Sequence, residues 1–476
     1  MIDKTEINEL AKLQNLRPEV VEKDYMLGWI LAGIANHNEL GPKWIFKGGT
    51  CLKKCYFETY RFSEDLDFTL KDETHLNVDF LKNAFSEIAD WVHDQSGNTI
   101  PKDRLHFDLH PDPEKKYVEG RVYYQGPSGR AGSLPRILLD LTSRELLALP
   151  PSSRSIHHPY TDRPTAGFTA NCYSYEEVFA EKIRALAERC RPRDLYDVVH
   201  LYRNEQLLDD KVVVFETLKR KCEFKTIPTP TLDSIQNHER KDELHSQWEN
   251  MLRHQLAALP PIDSFLSELP NFFDWLFEEE DPEIVASQEE TEDLAIPAPK
   301  VTRPTSDIPA PISARFMGIQ PGASTLERIR FGAANRLCLK LRYSGKVRTI
   351  EPYAVKRTIA GSLYLAAFER EERRTKNFTI DKIEGIELTE TPFTPQWPIE
   401  VTAHGTLNIA QNVSSAPSRS RSSRSYGSGI KYVYRCPTCG KLFYKSQMDS
   451  SLRTHKNKRG SQCYGSYGHY VRTKYH

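Results

Sequence analysis

The alternation of apolar and polar residues divides this chain into helical and strand-like stretches. Residues 1–40 repeat apolar side chains at helical spacing, and residues 173–203 and 205–290 do the same, which predicts three mainly helical regions. Short apolar or alternating runs predict strands at 44–46, 62–70, 117–124 and 135–145. Short β patterns return from Ser313 to Val401, separated by Gly-containing turns. The sequence therefore predicts a mixed α/β region followed by a small, strongly bent antiparallel sheet.

Two changes in composition separate these regions. Residues 291–312 are rich in proline and poor in core-forming side chains, which indicates a semi-extended linker. Residues 402–429 end in a Ser/Arg-rich run that is typical of disorder. We therefore predict a first domain at 1–290, a β domain at 313–401 and a short terminal segment at 430–476.

Charge distribution, the lengths of apolar runs and cysteine usage indicate the cellular compartment of the protein. The net charge is zero, but residues from Ser414 onward contain 13 Lys and Arg against one acid, Asp449. No signal peptide is visible, and the longest apolar run, at 25–35, is too short to span a membrane. These features predict a soluble protein of the reducing cytoplasm with no membrane partner, in which cysteines bind metal rather than form disulfides.

One stretch combines groups that handle phosphates. Gly48, Gly49 and Thr50 form a turn that offers close backbone approach, and Asp65 and Asp67 alternate with apolar residues on one face of a strand. Two adjacent carboxylates repel each other unless a cation or proton lies between them, and such oxygen clusters suit Mg²⁺ bound together with a substrate's phosphates. The alternative is an exposed strand with solvated acids after an ordinary turn, and the acids alone do not distinguish the two.

Three later positions extend this interpretation. Asp140 is the lone acid of an apolar strand, where burial is costly unless the carboxylate is paired or bound to a cation. We expect it beside Asp65 and Asp67, although a strand-end aspartate bonded to a neighbouring hydroxyl is the alternative. Asp194 and Asp197 lie one turn apart after a helix break, where i,i+4 ion pairs provide the competing explanation.

The terminal segment carries candidate metal ligands whose first half has the usual C-x-x-C spacing, whereas the His-x7-Cys spacing of the second half is wider than the usual His-x3-5-His. A C-x-x-C pair is followed by a histidine and a further cysteine, which together complete a tetrahedral zinc set: Cys436, Cys439, His455 and Cys463. A turn with free thiols is the alternative, but a segment this short has little core with which to fold without metal. Its Lys, Arg and Tyr residues suit phosphate contact and base stacking.

The first domain resembles the AbiEii/AbiGii-type nucleotidyltransferases, toxins of abortive-infection toxin–antitoxin systems. The resemblance covers roughly residues 15–205 and lies in VEKDY (21–25), FKGGT (46–50), RFSEDLDF (61–68), EKIRAL (181–186) and RPRDLYDV (191–198). It implies an α+β nucleotidyltransferase fold, a mixed sheet with helices, that uses an NTP and two Mg²⁺ ions to modify RNA, often at tRNA acceptor ends, and a cognate antitoxin.

The resemblance also implies roles for individual residues. The triphosphate contacts would come from Gly48, Gly49, Thr50, Ser63 and Lys182. Asp65 and Asp67 would bind metal, with Asp140 as the third carboxylate by strand context. Either Asp194 or Asp197 would complete the catalytic site.

The β domain resembles a WYL domain, a small Sm-like β fold that binds nucleic acid or a nucleotide ligand in bacterial regulators. The match lies in RTIEPY (348–353) and SLYLAAF (362–368), with Leu363 in place of the family's tryptophan. The resemblance implies ligand contacts at Tyr343, Arg348 and Arg357.

Together these features predict a toxin that transfers a nucleotidyl group to RNA. Two alternatives remain open: a nucleic-acid-binding regulator whose core only senses nucleotides, and transfer to a protein acceptor. The sequence does not specify which NTP is used, which acceptor, or which oligomeric state.

Overall fold

The structure is a computed structural model. It describes residues 1–129, 132–208, 210–278, 323–358 and 362–403, together with the terminal stretches 430–436, 441–445, 452–453, 455–456, 462–463 and 468–475. The predicted linker at 291–312 and nearly all of 402–429 lie outside the described residues, so the predicted domain boundaries remain predictions.

A seven-stranded mixed sheet forms the centre of the first domain. Its strands, numbered along the chain, are β1 (Trp44–Lys47), β2 (Asp65–Leu70), β3 (His106–Leu109), β4 (Tyr117–Tyr123), β5 (Arg136–Thr142), β6 (Ser152–Ser155) and β7 (Thr169–Cys172). Their spatial order is β3-β4-β5-β2-β1-β7-β6. Strand β2 runs parallel to β5, β1 runs parallel to β7, and the other neighbours are antiparallel.

Helices cover this sheet and extend it into a helical region. They are α1 (Lys4–Gln14), α2 (Pro18–Asn36), α3 (Leu40–Lys43), α4 (Gly48–Cys51), α5 (Val78–Ser96), α6 (Tyr175–Arg189), α7 (Pro192–Arg203), α8 (Lys211–Lys225), α9 (Leu232–Gln236), α10 (Lys241–Leu252), α11 (Ile262–Leu266) and α12 (Leu269–Phe277). Helix α4 continues directly into a π-helical turn, Leu52–Tyr56. Ser174 caps α6 by accepting a hydrogen bond from the N–H of Glu177.

The second domain begins with helix α13 (Ala323–Ala334) and continues as a five-stranded sheet. The strands are β8 (Leu337–Tyr343), β9 (Lys346–Arg357), β10 (Leu363–Glu369), β11 (Arg374–Thr379) and β12 (Ile383–Pro392), in the order β11-β10-β9-β8-β12. All neighbours in this sheet are antiparallel. The predicted fold class, a mixed α/β domain followed by a small antiparallel β domain, is confirmed.

The second domain is docked onto the first through a shared apolar core. Phe331, Leu337 and Ala403 belong to the same buried cluster as the helices of the first domain. Arg330 of α13 lies 3.2 Å from the Glu58 carboxylate, and the Thr59 N–H donates to the carbonyl of Ala403 at 2.9 Å. The loop that precedes β2 is therefore held in part by the second domain.

The terminal segment contains β13 (Ile430–Arg435), β14 (Leu442–Lys445), β15 (His455–Lys456), β16 (Gln462–Cys463) and β17 (His469–Tyr475). Strands β14, β13 and β17 form a small sheet, and β15 pairs with β16. Arg435 lies 3.1 Å from Asp274 of α12, which joins this segment to the first domain. Among the residues that the structure describes, no helix combines the length and apolar character needed to cross a bilayer.

The shared core predicts that the second domain stabilises the first. Phe331 is 8 % exposed, and replacing a buried phenylalanine by alanine costs about 3 kcal/mol. Phe331→Ala is therefore expected to lower the urea midpoint of the first unfolding transition, followed by tryptophan fluorescence. Val347→Ala, at a side chain that is 59 % exposed, is the control and should leave the midpoint unchanged. Equal midpoints for the two variants would show that the contact contributes nothing to stability.

Candidate active site

The Gly48–Gly49 turn, which opens helix α4, lies against three side chains of residues 61–67. Gly48 has a φ of +77°, and a Cβ there would lie 2.1 Å from the Asp67 Oδ2 atom. A Cβ on Gly49 would lie 2.5 Å from the guanidinium of Arg61 and 3.2 Å from the Ser63 hydroxyl. Both glycines are therefore required by close approach, and a side chain at either position would displace the groups of the site.

The strand register brings three carboxylates to one face of the sheet. Asp67 pairs with Asp140 on the parallel strand β5 and with Lys47 on the antiparallel strand β1. Asp65 precedes Asp67 by two residues, so it lies on the same face. The Thr50 hydroxyl donates to the main-chain carbonyl of Asp65, which ties α4 to the start of β2. The structure thus places Asp65, Asp67 and Asp140 together, beside the Gly-Gly-Thr turn.

The electrostatics of this group favour a bound cation. Burial, and then the neighbouring Asp140, raise the pKa of Asp67 to about 6. Burial also raises the pKa of Asp65, although the nearby Lys23 and Arg193 oppose that change. Tyr117 donates to Asp140 Oδ1 at 2.6 Å and fixes that carboxylate. Because the donors are all oxygens and their mutual repulsion is relieved by positive charge, the residues present fit a hard divalent cation.

Lys182 belongs to a buried ion-pair network near the carboxylates. Its Nζ lies 2.7 Å from Asp197 Oδ2 and 3.8 Å from Asp194 Oδ1. Asp197 also accepts two hydrogen bonds from Arg61, at 2.7 and 2.8 Å, and one from the hydroxyl of Tyr60. Although burial opposes it, the positive charges of Arg61 and Lys182 hold the pKa of Asp197 well below its usual range. The acid is therefore ionised and already paired with cations.

Asp194 has a separate partner. Arg189 donates to both of its oxygens, at 2.7 and 2.8 Å. Both acids of the helix-break pair are fully buried and both bind basic side chains. The alternative explanation by i,i+4 ion pairs does not account for Asp197, because its partners, Arg61 and Lys182, are not i,i+4 neighbours.

The sequence of the domain that carries this site matches a known family model. Residues 29–279, more than half of the chain, match the family model described as nucleotidyl transferase AbiEii toxin, type IV TA system. The chain belongs to the AbiEii nucleotidyltransferase toxin family. Residues 324–388 match the WYL domain model. The AbiEii domain is thus a nucleotidyltransferase, and the family implies an NTP substrate, a divalent metal and a cognate antitoxin.

Solved structures resemble the AbiEii domain at low sequence identity. MenT4, a nucleotidyltransferase toxin from Mycobacterium tuberculosis H37Rv, is 17 % identical, with 60 % of this chain and 93 % of that chain covered and a TM-score of 0.38. JHP933 from Helicobacter pylori is 16 % identical, with 58 % and 100 % covered and a TM-score of 0.37. A putative nucleotidyltransferase from H. pylori is 18 % identical, with 55 % and 96 % covered and a TM-score of 0.34. A comparison with curated proteins finds no match.

Three further basic residues of the AbiEii domain lie around the carboxylates. The sequence alone assigned no role to these basic residues. Lys47 lies opposite Asp67, and although burial opposes it, Glu181, Glu145 and Asp67 raise its pKa. The Arg193 Nε atom is buried and has no hydrogen-bond partner among the described residues. Lys23 binds Glu64 at 2.8 Å. The motifs VEKDY, FKGGT and RPRDLYDV contain Lys23, Lys47 and Arg193, so motif membership was the available signal for all three.

The terminal segment brings together three of the four expected zinc ligands. One ligand atom from each of Cys436, His455 and Cys463 lies within 4.8 Å of the others, and all three residues are buried. The two sulfurs are 3.7 Å apart, close to the about 3.8 Å that tetrahedral geometry and a Zn–S distance of about 2.3 Å require. The His455 Nδ1 atom lies 2.8 Å from the Arg453 carbonyl, a contact typical of metal-bound histidine. Cys439 lies outside the described residues.

The three expected ligand contacts of the WYL domain lie on two neighbouring strands. Tyr343 ends β8 and its ring packs on Phe378 at 5.3 Å. Arg348 lies near the start of β9, 3.4 Å from Glu369, whereas Arg357 ends the same strand.

The raised pKa of Asp67 predicts a pH-dependent stability of the metal-free protein. Because the folded-state pKa of about 6 exceeds the ordinary 3.8, the carboxylate destabilises the fold fully above pH 6, and this cost disappears as the pH falls towards 3.8. Asp67→Asn should thus stabilise the chelator-treated protein by roughly 2 kcal/mol at pH 8 and by about half as much at pH 5.

Urea unfolding in the presence of EDTA at pH 5 and pH 8 measures this difference. Asp103→Asn, which removes the charge of an exposed carboxylate, is the matched control. A stabilisation by Asp67→Asn that is the same at both pH values would show that the charge of Asp67 is not the cause.

Proposed function

We propose that this chain transfers a nucleotidyl group from an NTP to an RNA 3′ end in a Mg²⁺-dependent reaction, with tRNA as the favoured acceptor. The observation that carries the proposal is the juxtaposition of Asp65, Asp67 and Asp140 with the Gly48–Gly49 turn. Carboxylates can bind the metal ion, and a glycine turn lets the backbone approach phosphates closely. Both components suit metal-assisted phosphoryl transfer. Membership of the AbiEii toxin family identifies the reaction class as nucleotidyl transfer.

In this proposal, each part of the chain has a separate task. Asp65, Asp67 and Asp140 would hold the Mg²⁺ ions, which when bound lower the pKa of the attacking hydroxyl and neutralise phosphate charge. The turn at Gly48 and Gly49 presents backbone N–H groups at close range to the triphosphate, and Thr50 fixes the turn to β2. Ser63 lies beside this turn.

Lys182 would offset the negative charge that develops on the phosphates. Its two acids act as positioning residues: Asp197 holds Lys182 and Arg61, and Asp194 holds Arg189 and lies near Lys182. This arrangement assigns both acids of the helix-break pair without giving either one to the metal. Arg193 adds a further positive charge near Asp65.

Two features support RNA as the acceptor. The segment after Ser414 carries 13 Lys and Arg residues and one acid, which suits contact with a polyanion. The pair between Arg435 and Asp274 fixes this segment to the AbiEii domain, so an RNA bound there remains near the enzyme. We propose that Cys436, Cys439, His455 and Cys463 bind a structural Zn²⁺ that orders the segment.

The reaction is tested by incubating the protein with each of the four α-labelled NTPs and total tRNA. We expect label in RNA, with Asp67→Asn abolishing transfer and Lys182→Ala reducing kcat/KM by about 100-fold or more, the usual cost of removing one charge-stabilising group. Lys219→Ala, at a partly exposed lysine of α8, is the matched control.

The outcomes of this assay separate the alternatives. Label on a protein instead of RNA would show that the acceptor is a protein. The absence of label with every NTP, despite nucleotide binding, would favour a nucleotide-sensing regulator. Retained transfer in Lys182→Ala would remove that residue from the site.

A second test concerns the terminal segment. Cys436→Ser should lower the zinc content, measured by elemental analysis, and weaken tRNA binding, because phosphate contacts depend on an ordered segment. Fluorescence anisotropy at several salt concentrations should give a shallower slope for the variant than for Cys222→Ser, a control at a buried cysteine of α8. An unchanged slope would exclude the segment from RNA binding.

A further inference from the structure

Three cysteines outside the carboxylate site converge directly behind the Gly-Gly-Thr turn. Cys51 is the last residue of α4, Cys55 lies in the π-helical turn that follows, and Cys172 ends β7. Their sulfur atoms all lie within 4.8 Å of one another. Cys51 and Cys172 are fully buried, and Cys55 is 8 % exposed.

The backbone fixes this convergence. Cys51 and Cys55 are four residues apart on continuous helical structure, so their side chains share one face. Strand β7 runs parallel to β1 with Cys172 opposite Phe46, which places Cys172 beside the strand that leads into α4. The Tyr56 hydroxyl donates to the Tyr173 carbonyl at 2.5 Å and holds the helical turn against the end of β7.

The charges around the cluster suit a divalent thiophilic ion. Arg154 stacks over the Tyr56 ring at 4.6 Å, and its Nε lies 3.4 Å from the Cys55 carbonyl. Three thiolates and one Zn²⁺ carry a net charge of −1, which the guanidinium of Arg154 balances. A monovalent ion would leave a larger buried charge, and buried charge is costly unless it is compensated.

Three other buried cysteines differ from this cluster. Cys190, Cys222 and Cys338 are also buried and free, but none belongs to a group of possible metal ligands among the described residues. Isolated buried cysteines serve as small apolar side chains. Three sulfurs that converge from two elements instead match the donor set and proximity of a zinc site.

We propose that Cys51, Cys55 and Cys172 bind a Zn²⁺ ion that clamps the phosphate-binding turn to β7, with a solvent-derived fourth ligand. Binding forms three S–Zn bonds and releases the three thiol protons to solvent, so no change in oxidation state is involved. Because Cys51 follows Thr50 directly, the ion would limit movement of the turn that Gly48 and Gly49 form.

Cadmium titration of the full-length protein tests this site. The background is Cys436→Ser/Cys463→Ser, which removes the terminal cluster, and the protein is first treated with reductant and chelator. We expect one equivalent of Cd²⁺ to produce thiolate-to-cadmium charge-transfer absorption. Adding Cys172→Ala should abolish it, whereas the matched control Cys222→Ala should retain it.

Thermal unfolding with and without Zn²⁺ provides a second measurement. A bound ion stabilises the folded state by mass action, so Zn²⁺ should raise the Tm of the background protein and of Cys222→Ala but not of Cys172→Ala. If Cys172→Ala fails to fold, Cys55→Ala at the edge of the cluster serves the same comparison. Absence of the charge-transfer band in the background protein, or its persistence in Cys172→Ala, would overturn the proposal.

Discussion

The buried carboxylate of Asp197 determines the position of the charged groups on one side of the active site. It accepts hydrogen bonds from Arg61 and Tyr60, which precede β2, and it binds Lys182 of the neighbouring helix. A buried carboxylate is costly by several kcal/mol unless such partners surround it, and its removal would leave the charges of Arg61 and Lys182 buried and uncompensated. The Asp197 side chain therefore holds three separate segments of the chain together. It also orients Lys182.

The same network continues into the second domain. Tyr196, the neighbour of Asp197, donates to the Asn335 side chain at 2.9 Å, and Arg203 of the same helix donates to the Ala334 carbonyl at 3.1 Å. Together with the contacts of Glu58 and Thr59, these bonds attach the WYL domain to the loop and helix that carry Arg61 and Asp197. The WYL domain is thus in direct contact with the elements that carry the groups positioning Lys182.

Local periodicity was sufficient to predict the elements that carry the carboxylates. The alternation around Asp65 and Asp67, and the lone acid at Asp140, follow from the period of a strand, and their register follows from parallel pairing of β2 with β5. The distinction between Asp194 and Asp197 could not be predicted, because the partner of Asp197, Arg61, is 136 positions away in sequence. The docking of Phe331 and the convergence of Cys172 with Cys51 likewise depend on tertiary packing, which leaves no local pattern.

The shared core also has a consequence for synthesis on the ribosome. The AbiEii domain, residues 29–279, emerges before α13 and the strands that follow it. Until Phe331, Leu337 and Ala403 have been translated, the nascent enzyme lacks the side chains that complete its core and the carbonyl that holds Thr59. During that interval part of the apolar surface stays uncovered, and the loop that carries Arg61 lacks one of its anchors. Translation order thus delays the complete toxin until its second domain exists.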